Sequence, residues 1–170
     1  MKDVYMKLLL EMMGQCKRSD RELAKALHVS QPTVTRARRW LEQNGYINEY
    51  TLIPSFAKIG LELAAFTLIR LRTGSSAEKY EEAKKGIKAF VEKSPNAVMS
   101  LRGEGMGCDA ILVSLHKDFA EFTHFMRKLK MEATGTEVVG SFLASLKDPN
   151  QYRSLTFKHI KEYINRKEQE

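Results

Sequence analysis

Apolar positions recur at helical spacing through the first part of the chain. Asp3 to Met13 (DVYMKLLLEMM) places Val4, Leu8 or Leu9, and Met12 or Met13 on one stripe, predicting a helix that Gly14 to Arg18 ends. Ser19 precedes Glu22 by three residues, the spacing of a capping box, and Leu23, Ala24 and Leu27 form the inward stripe of a two-turn helix. His28-Val29-Ser30 breaks that helix. Ser30 is a natural N-cap for another, with Pro32 tolerated in its first turn. In the third helix Val34, Ala37 and Leu41 share one side, while Thr35, Arg36 and Arg39 share the other. Asn44-Gly45 is a stop signal.

The period then changes. Tyr46 to Ile53 alternates like two short strands, a small wing, and Pro54 to Gly60 (PSFAKIG) reads as a linker. Residues 62–73 predict a long strand. Gly74-Ser75-Ser76 turns into a helix in which Ser75 and Glu78 have capping-box spacing and Tyr80, Ala83, Ile87, Phe90 and Val91 face inward. Strands follow at 97–102 and 108–116, joined by a glycine-rich hairpin loop, Gly103 to Gly107. Asp118 caps a helix bearing Phe119, Phe122, Phe125, Met126 and Leu129, and 135–146 is the last strand. From Asp148 the tail shows a helical signature carrying Leu155, Phe157, Ile160, Tyr163 and Ile164.

The expected fold is therefore α+β. A winged helix-turn-helix (1–53) and a linker (54–61) precede a ferredoxin-like β-α-β-β-α-β domain (62–146) and a C-terminal helical extension (147–170). Phe66, Leu68, Val113 and Phe142 alternate with Ala65, Thr67, Ile69, Leu112 and Leu143, so both faces of the sheet are apolar. Helices cover one face. The other calls for a partner, most simply a second copy of the chain.

Charge sharpens this picture. The net charge is +7, with nine basic against six acidic side chains in residues 1–50, which fits an anionic partner such as double-stranded DNA. A short helix presenting two arginines and a hydroxyl above a small apolar inner face suits the major groove. Gln31 and Thr33, at its start, are candidates for base edges. Trp40 is expected to pack internally.

Other chemistry finds little support. Cys16 and Cys108 lie far apart, and His28, His116, His124 and His159 have no ligand spacing, so neither metal nor cofactor is expected. No catalytic constellation is legible, and the expectation is not an enzyme. No apolar run has membrane-spanning length and no secretory pattern opens the chain, which predicts a cytoplasmic protein without a membrane partner.

The run ELAKALHVSQPTVTRARRWLEQNGYINEYT resembles the helix-turn-helix and wing of the leucine-responsive and asparagine-synthase-type (Lrp/AsnC, feast/famine) transcriptional regulators, and PSFAKIGL is similar to their hinge. The element order of residues 62–146 is similar to their effector-and-assembly (RAM-type) domain. The resemblance implies a DNA-binding regulator that forms a homodimer with sheets packed face to face, often assembled into tetramers or octamers. It also implies a small-molecule effector, typically an amino acid, bound between subunits. By position, DNA contacts fall to Ser30, Gln31, Thr33, Thr35, Arg36 and Arg39, and effector contacts to Arg102, Gly103, Glu104, Gly105, Met106, Gly107 and Asp109, with Thr134 and Thr136 on a neighbouring turn.

The chain departs from the family at several points. His28 stands where the family favours Gly, although His tolerates the left-handed region. Arg38 replaces a residue that is normally apolar. Either its stem packs while its charge reaches solvent or Glu42, or it adds a phosphate contact. The family's Gly-x-x-Asp becomes Gly105 and Gly107 around Met106, with Asp109 following. Asp109 either anchors an amine or hydrogen-bonds the loop backbone. The C-terminal helix lies beyond the usual family end. Siroheme decarboxylases resemble these regulators in architecture and are the alternative reading, but no tetrapyrrole-binding constellation is visible here.

Overall fold

The structure is a computed structural model that describes residues 3–72 and 76–167. It divides into two compact units, Met1–Ile53 with Arg153–Glu170, and Pro54–Tyr152.

The first unit contains α1 (Asp3–Gly14), α2 (Asp20–Leu27), α3 (Gln31–Gln43) and α6 (Lys158–Lys167). The capping box at the start of α2 is formed: Glu22 N–H donates to Ser19 Oγ, and the Ser19 amide donates to the Glu22 carboxylate. His28 ends α2 in the left-handed region at φ 54°, and the Val29 amide reaches back to the Ala24 carbonyl. Ser30 caps α3 by accepting from Thr33 N–H. Leu8, Met12, Leu23, Ala24, Val34, Ala37 and Leu41 meet in one core. Trp40 lies between Tyr5 and Tyr46, with ring centroids 5.0 and 5.3 Å away.

One expectation changes here. Residues 46–53 form no ladder. They run as coil, anchored where the Tyr46 and Ile47 amides donate to the Leu41 carbonyl. YINEYTLI has strand-like alternation but no glycine to reverse it, so the segment cannot pair with itself. The helix foreseen in the tail forms as α6 and packs on α1, where Lys161 pairs with Glu11.

The second unit opens with a short 3₁₀ turn at Phe56–Ile59 and contains β1 (Leu63–Leu71), α4 (Ala77–Lys93), β2 (Ala97–Gly105), β3 (Cys108–His116), α5 (Phe119–Glu132) and β4 (Thr136–Ser145). The antiparallel sheet has the order β2-β3-β1-β4 expected of a ferredoxin-like unit. Asp118 caps α5 by accepting from Glu121 N–H. Thr73 and the proposed Ser75 cap of α4 lie outside the described residues.

The helix-covered face is sealed by Ile69, Phe90, Leu112, Phe125, Leu129 and Ala133. On the opposite face Phe66 pairs with Val113 and Phe142, and Leu101 with Ile111. This second apolar layer stays open to solvent. Phe142 is 70% exposed; Phe66 beside it, and Met99 and Leu101 on the far strand β2, are exposed on the same face.

The expected five-residue hairpin loop is shorter than predicted. β2 continues through Gly103 to Gly105, and only Met106 and Gly107 turn, at φ 53° and 68°. Positive φ at both central residues is the geometry that matches the twist of the flanking strands.

Candidate nucleic-acid interface

Helix α3 is presented by its own sequence. Its apolar positions, Val34, Ala37 and Leu41, are fully buried, which forces the intervening positions outward. Gln31, Pro32, Thr35, Arg36 and Arg39 line an open depression along its outer side. Gln31, Arg36 and Arg39 are exposed. Among the described residues Arg36 and Arg39 have no hydrogen-bond or ion-pair partner, so their guanidinium groups are available to a ligand. Such a surface offers fork-shaped donors to phosphates or guanine edges, and an amide able to pair with adenine.

The other sequence candidates on α3 are engaged within the protein. Ser30 and Thr33 hydroxyls lie 2.8 Å apart around the N-cap. Thr35 Oγ1 donates to Asp20 Oδ2 at 2.7 Å, and Arg38 donates to Asp20 Oδ1 through Nε (2.9 Å) and Nη2 (2.7 Å). Arg38 Nη1 also donates to the Tyr50 hydroxyl at 3.4 Å, and that hydroxyl donates to Glu42 at 2.7 Å. Thus neither role foreseen for Arg38 is its main contact: its charge is answered by Asp20. Burial works to raise the Asp20 pKa, but the hydrogen bonds from Thr35 and Arg38, with the Arg38 charge, outweigh it and hold the carboxyl below its ordinary value. Burial and the bond to Glu42 push the Tyr50 phenol up. Asp20 and Tyr50 were missed from the sequence because their partners lie 15, 18 and 12 residues away, separations with no periodic signature.

The effector candidates are only partly brought together. Arg102 faces Ala110 on the helix-covered side and donates to the Tyr80 hydroxyl of α4 at 2.7 Å. Asp109, next along β3, falls on the opposite side by strand alternation. Its carboxylate accepts from the Leu71 amide at 2.7 Å, a strand β1 partner rather than the loop backbone foreseen. Gly107 lies against Arg70, whose Nε donates to the Gly107 carbonyl at 2.6 Å; a Cβ there would stand 2.6 Å from Arg70 Nη2. Glu137 pairs with Arg72 at 3.1 Å and Arg70 at 3.7 Å. Thr136 Oγ1 donates to the Ala133 carbonyl, closing the turn that contains Thr134. Gly103, Glu104, Gly105 and Met106 are exposed along the end of the hairpin. Arg70 and Glu137, which link the hairpin to β4, were not among the sequence candidates. Their charges alone gave no reason to join residues 67 positions apart.

Among the described residues no group of three or more His, Cys, Asp or Glu side chains is arranged to hold a metal ion. No helix among them is long and apolar enough to cross a membrane.

Comparison with known proteins agrees with this geometry. Residues 8–51 match the MarR family model. No curated protein matches the chain. Among solved structures, an AsnC family transcriptional regulator from Agrobacterium tumefaciens is 21% identical over 91% of this chain and 95% of its own, with a TM-score of 0.71. The Neisseria meningitidis transcriptional regulator NMB0573, solved as an L-Met complex, is 20% identical over 94% of this chain and 99% of its own (TM-score 0.72). The leucine response regulatory protein LrpA of Mycobacterium tuberculosis is 18% identical over 91% of this chain and 96% of its own (TM-score 0.73). The likeness spans both units, and at these identities it establishes a common fold.

Proposed function

From the fold it shares with AsnC- and Lrp-named regulators, we propose that the chain is a cytoplasmic, sequence-specific DNA-binding transcriptional regulator that works as a homodimer or a larger assembly. The observation that carries this reading is the pair Arg36 and Arg39, without a partner among the described residues, on the outer side of a capped helix and flanked by exposed Gln31. A bidentate Arg–guanine contact contributes about 1–3 kcal/mol of discrimination. Ser30 and Thr33 support it from the helix start by keeping the first turn closed.

The open sheet face supports self-association. Phe66, Leu101, Ile111 and Phe142 form an apolar layer that a second, two-fold-related copy covers with the same residues. Pairing of that kind repeats the reading helix at a fixed interval, so the DNA site has two half-sites. We further assign a small-molecule response to the end of β1, where the Gly105–Asp109 turn, Arg70, Glu137 and the Thr134–Thr136 turn converge. The Neisseria regulator in complex with L-Met suggests an amino acid.

A mobility-shift titration against genomic fragments selected by the protein tests the DNA reading. The doubly substituted Arg36→Ala, Arg39→Ala chain is expected to lose specific binding at matched salt. Unchanged specific binding by that variant contradicts the assignment.

A further inference from the structure

Asp20 stands directly after the Ser19 cap of α2, yet its carboxylate serves α3. One oxygen takes the Thr35 hydroxyl, and the other takes two donors of Arg38. Thr35 and Arg38 are three residues apart and so share one side of the helix. Each directly precedes one of the exposed arginines, Arg36 and Arg39. Two anchor points on one side of a helix fix its rotation about its own axis, and with it the direction of the neighbouring side chains. The Asp20 and Arg38 side chains are 21% and 20% exposed, so water screens the pair less than it would at an open surface. Tyr50 and Glu42 continue the chain of bonds onto the segment after α3.

We propose that Asp20 is the positioning residue of the reading helix. Through Thr35 and Arg38 it sets the rotation that aims Arg36 and Arg39, and it holds the Arg38 charge away from the nucleic acid. The role rests on the DNA-binding reading above. It separates two basic residues adjacent in sequence: Arg39 contacts the ligand, whereas Arg38 contacts the protein. Moving Arg38 onto a phosphate removes both of its hydrogen bonds from Asp20 Oδ1, a loss that the phosphate contact must offset.

The test compares the wild-type chain with Asp20→Asn and Arg38→Met. Binding is measured to a duplex that the wild-type protein selects from genomic fragments and to a mixed-sequence duplex of equal length, over a range of salt concentrations. Asp20→Asn is expected to lower the preference for the selected duplex about tenfold, the lower part of the range for a misaligned bidentate contact. It is also expected to steepen the salt dependence by about one unit, because the released Arg38 now meets a phosphate. Arg38→Met is expected to lower the preference while leaving the salt dependence unchanged. This second variant decides the matter if Asp20→Asn does not fold. A purely structural role predicts equal weakening on both duplexes, and a phosphate-contacting Arg38 predicts a shallower salt dependence in Arg38→Met; either result overturns the proposal. In the absence of DNA, the Arg38 Nε–H signal in a nitrogen-15 spectrum is expected to be resolved in wild type and lost in Asp20→Asn. A wild-type chain that selects no fragment contradicts the regulator reading itself, while the Arg38 signal still reports the clamp.

Discussion

Phe66 and Phe142 face each other across β1 and β4 with ring centroids 6.2 Å apart and planes tilted by 54°, on the side of the sheet opposite α4 and α5. Burying a phenylalanine contributes about 1.5–3 kcal/mol, and a two-fold interface counts each residue twice. Replacing Phe142 with Glu is expected to raise the dissociation constant of the proposed dimer by about a hundredfold or more. Sedimentation equilibrium reads the change. The variant should keep its melting behaviour as a subunit, since this side chain is 70% exposed in the lone chain. An unchanged assembly would place the contact elsewhere.

His28 occupies the left-handed region between α2 and α3. A β-branched residue is a genuine misfit there, whereas Gly has no Cβ to crowd. His28→Val is expected to destabilise the chain by about 1–2 kcal/mol, and His28→Gly to leave it unchanged or stabilise it by about 0.5 kcal/mol. Urea midpoints of the three chains check the order. Equal midpoints for Val and His would mean that the turn does not depend on this conformation.

The α1–α6 contact carries a pH signature. The Lys161 hydrogen bond, opposed by burial and reinforced by Arg18, holds the Glu11 carboxyl below its ordinary value. The unfolded chain therefore binds this proton at a higher pH than the folded one. The stabilisation is present above the ordinary carboxylate range and is lost as pH falls through the folded value. Lys161→Met removes the first of these causes. The variant is expected to be less stable than wild type by about 0.5 kcal/mol at pH 6, a gap that narrows toward pH 3. Denaturant titrations at the two pH values measure it; a gap that widens in acid would contradict the pairing.

His116 adds a pH dependence of the same sign, here through burial itself. The ring is fully buried, 2.8 Å from Ser114 Oγ and 3.1 Å from Asn96 Nδ2, and edge-on to Phe122 and Phe125. Desolvation lowers its pKa, with Glu121 opposing weakly. Between the folded value and the ordinary one near 6.5 the unfolded chain binds more protons, so stability falls as pH drops through that window. His116→Leu should flatten this slope. It should also cost about 1–3 kcal/mol at pH 7 by stranding the buried Ser114 hydroxyl. A slope that survives the substitution assigns it to another group.

Patterns carried by neighbouring residues were legible in the sequence. The Ser19–Glu22 box, the Ser30 cap, the stripe Val34–Ala37–Leu41 and the first, third and fourth strands form close to where spacing places them, because each depends on residues a few positions apart. The bare apolar face was also legible, since two-residue alternation with both phases apolar leaves one phase uncovered. What failed depended on distant partners or on a turn. Tyr46 to Ile53 has strand chemistry without a partner strand. Gly103 and Gly105 suggested a wide loop, yet the strand runs on past an irregularity between Arg102 and Gly105, pairs Gly105 with Cys108 and reverses only at Met106 and Gly107. Thr35 and Arg38 fall on the polar side of a helical wheel, but a wheel does not show that Asp20 from another helix has already engaged them. Arg102 and Asp109 share a hairpin in sequence and fall on opposite faces in space.

The central claim is that two copies of an outward-facing α3 read DNA at a fixed separation. Hydroxyl-radical footprinting of a genomic fragment selected by the protein tests it most directly. Two protected patches on one face of the duplex, centred about 10–10.5 base pairs or a multiple of that apart, are the predicted result, and both should vanish with Arg36→Ala, Arg39→Ala. A single patch, or a pair that persists in that variant, would contradict the account.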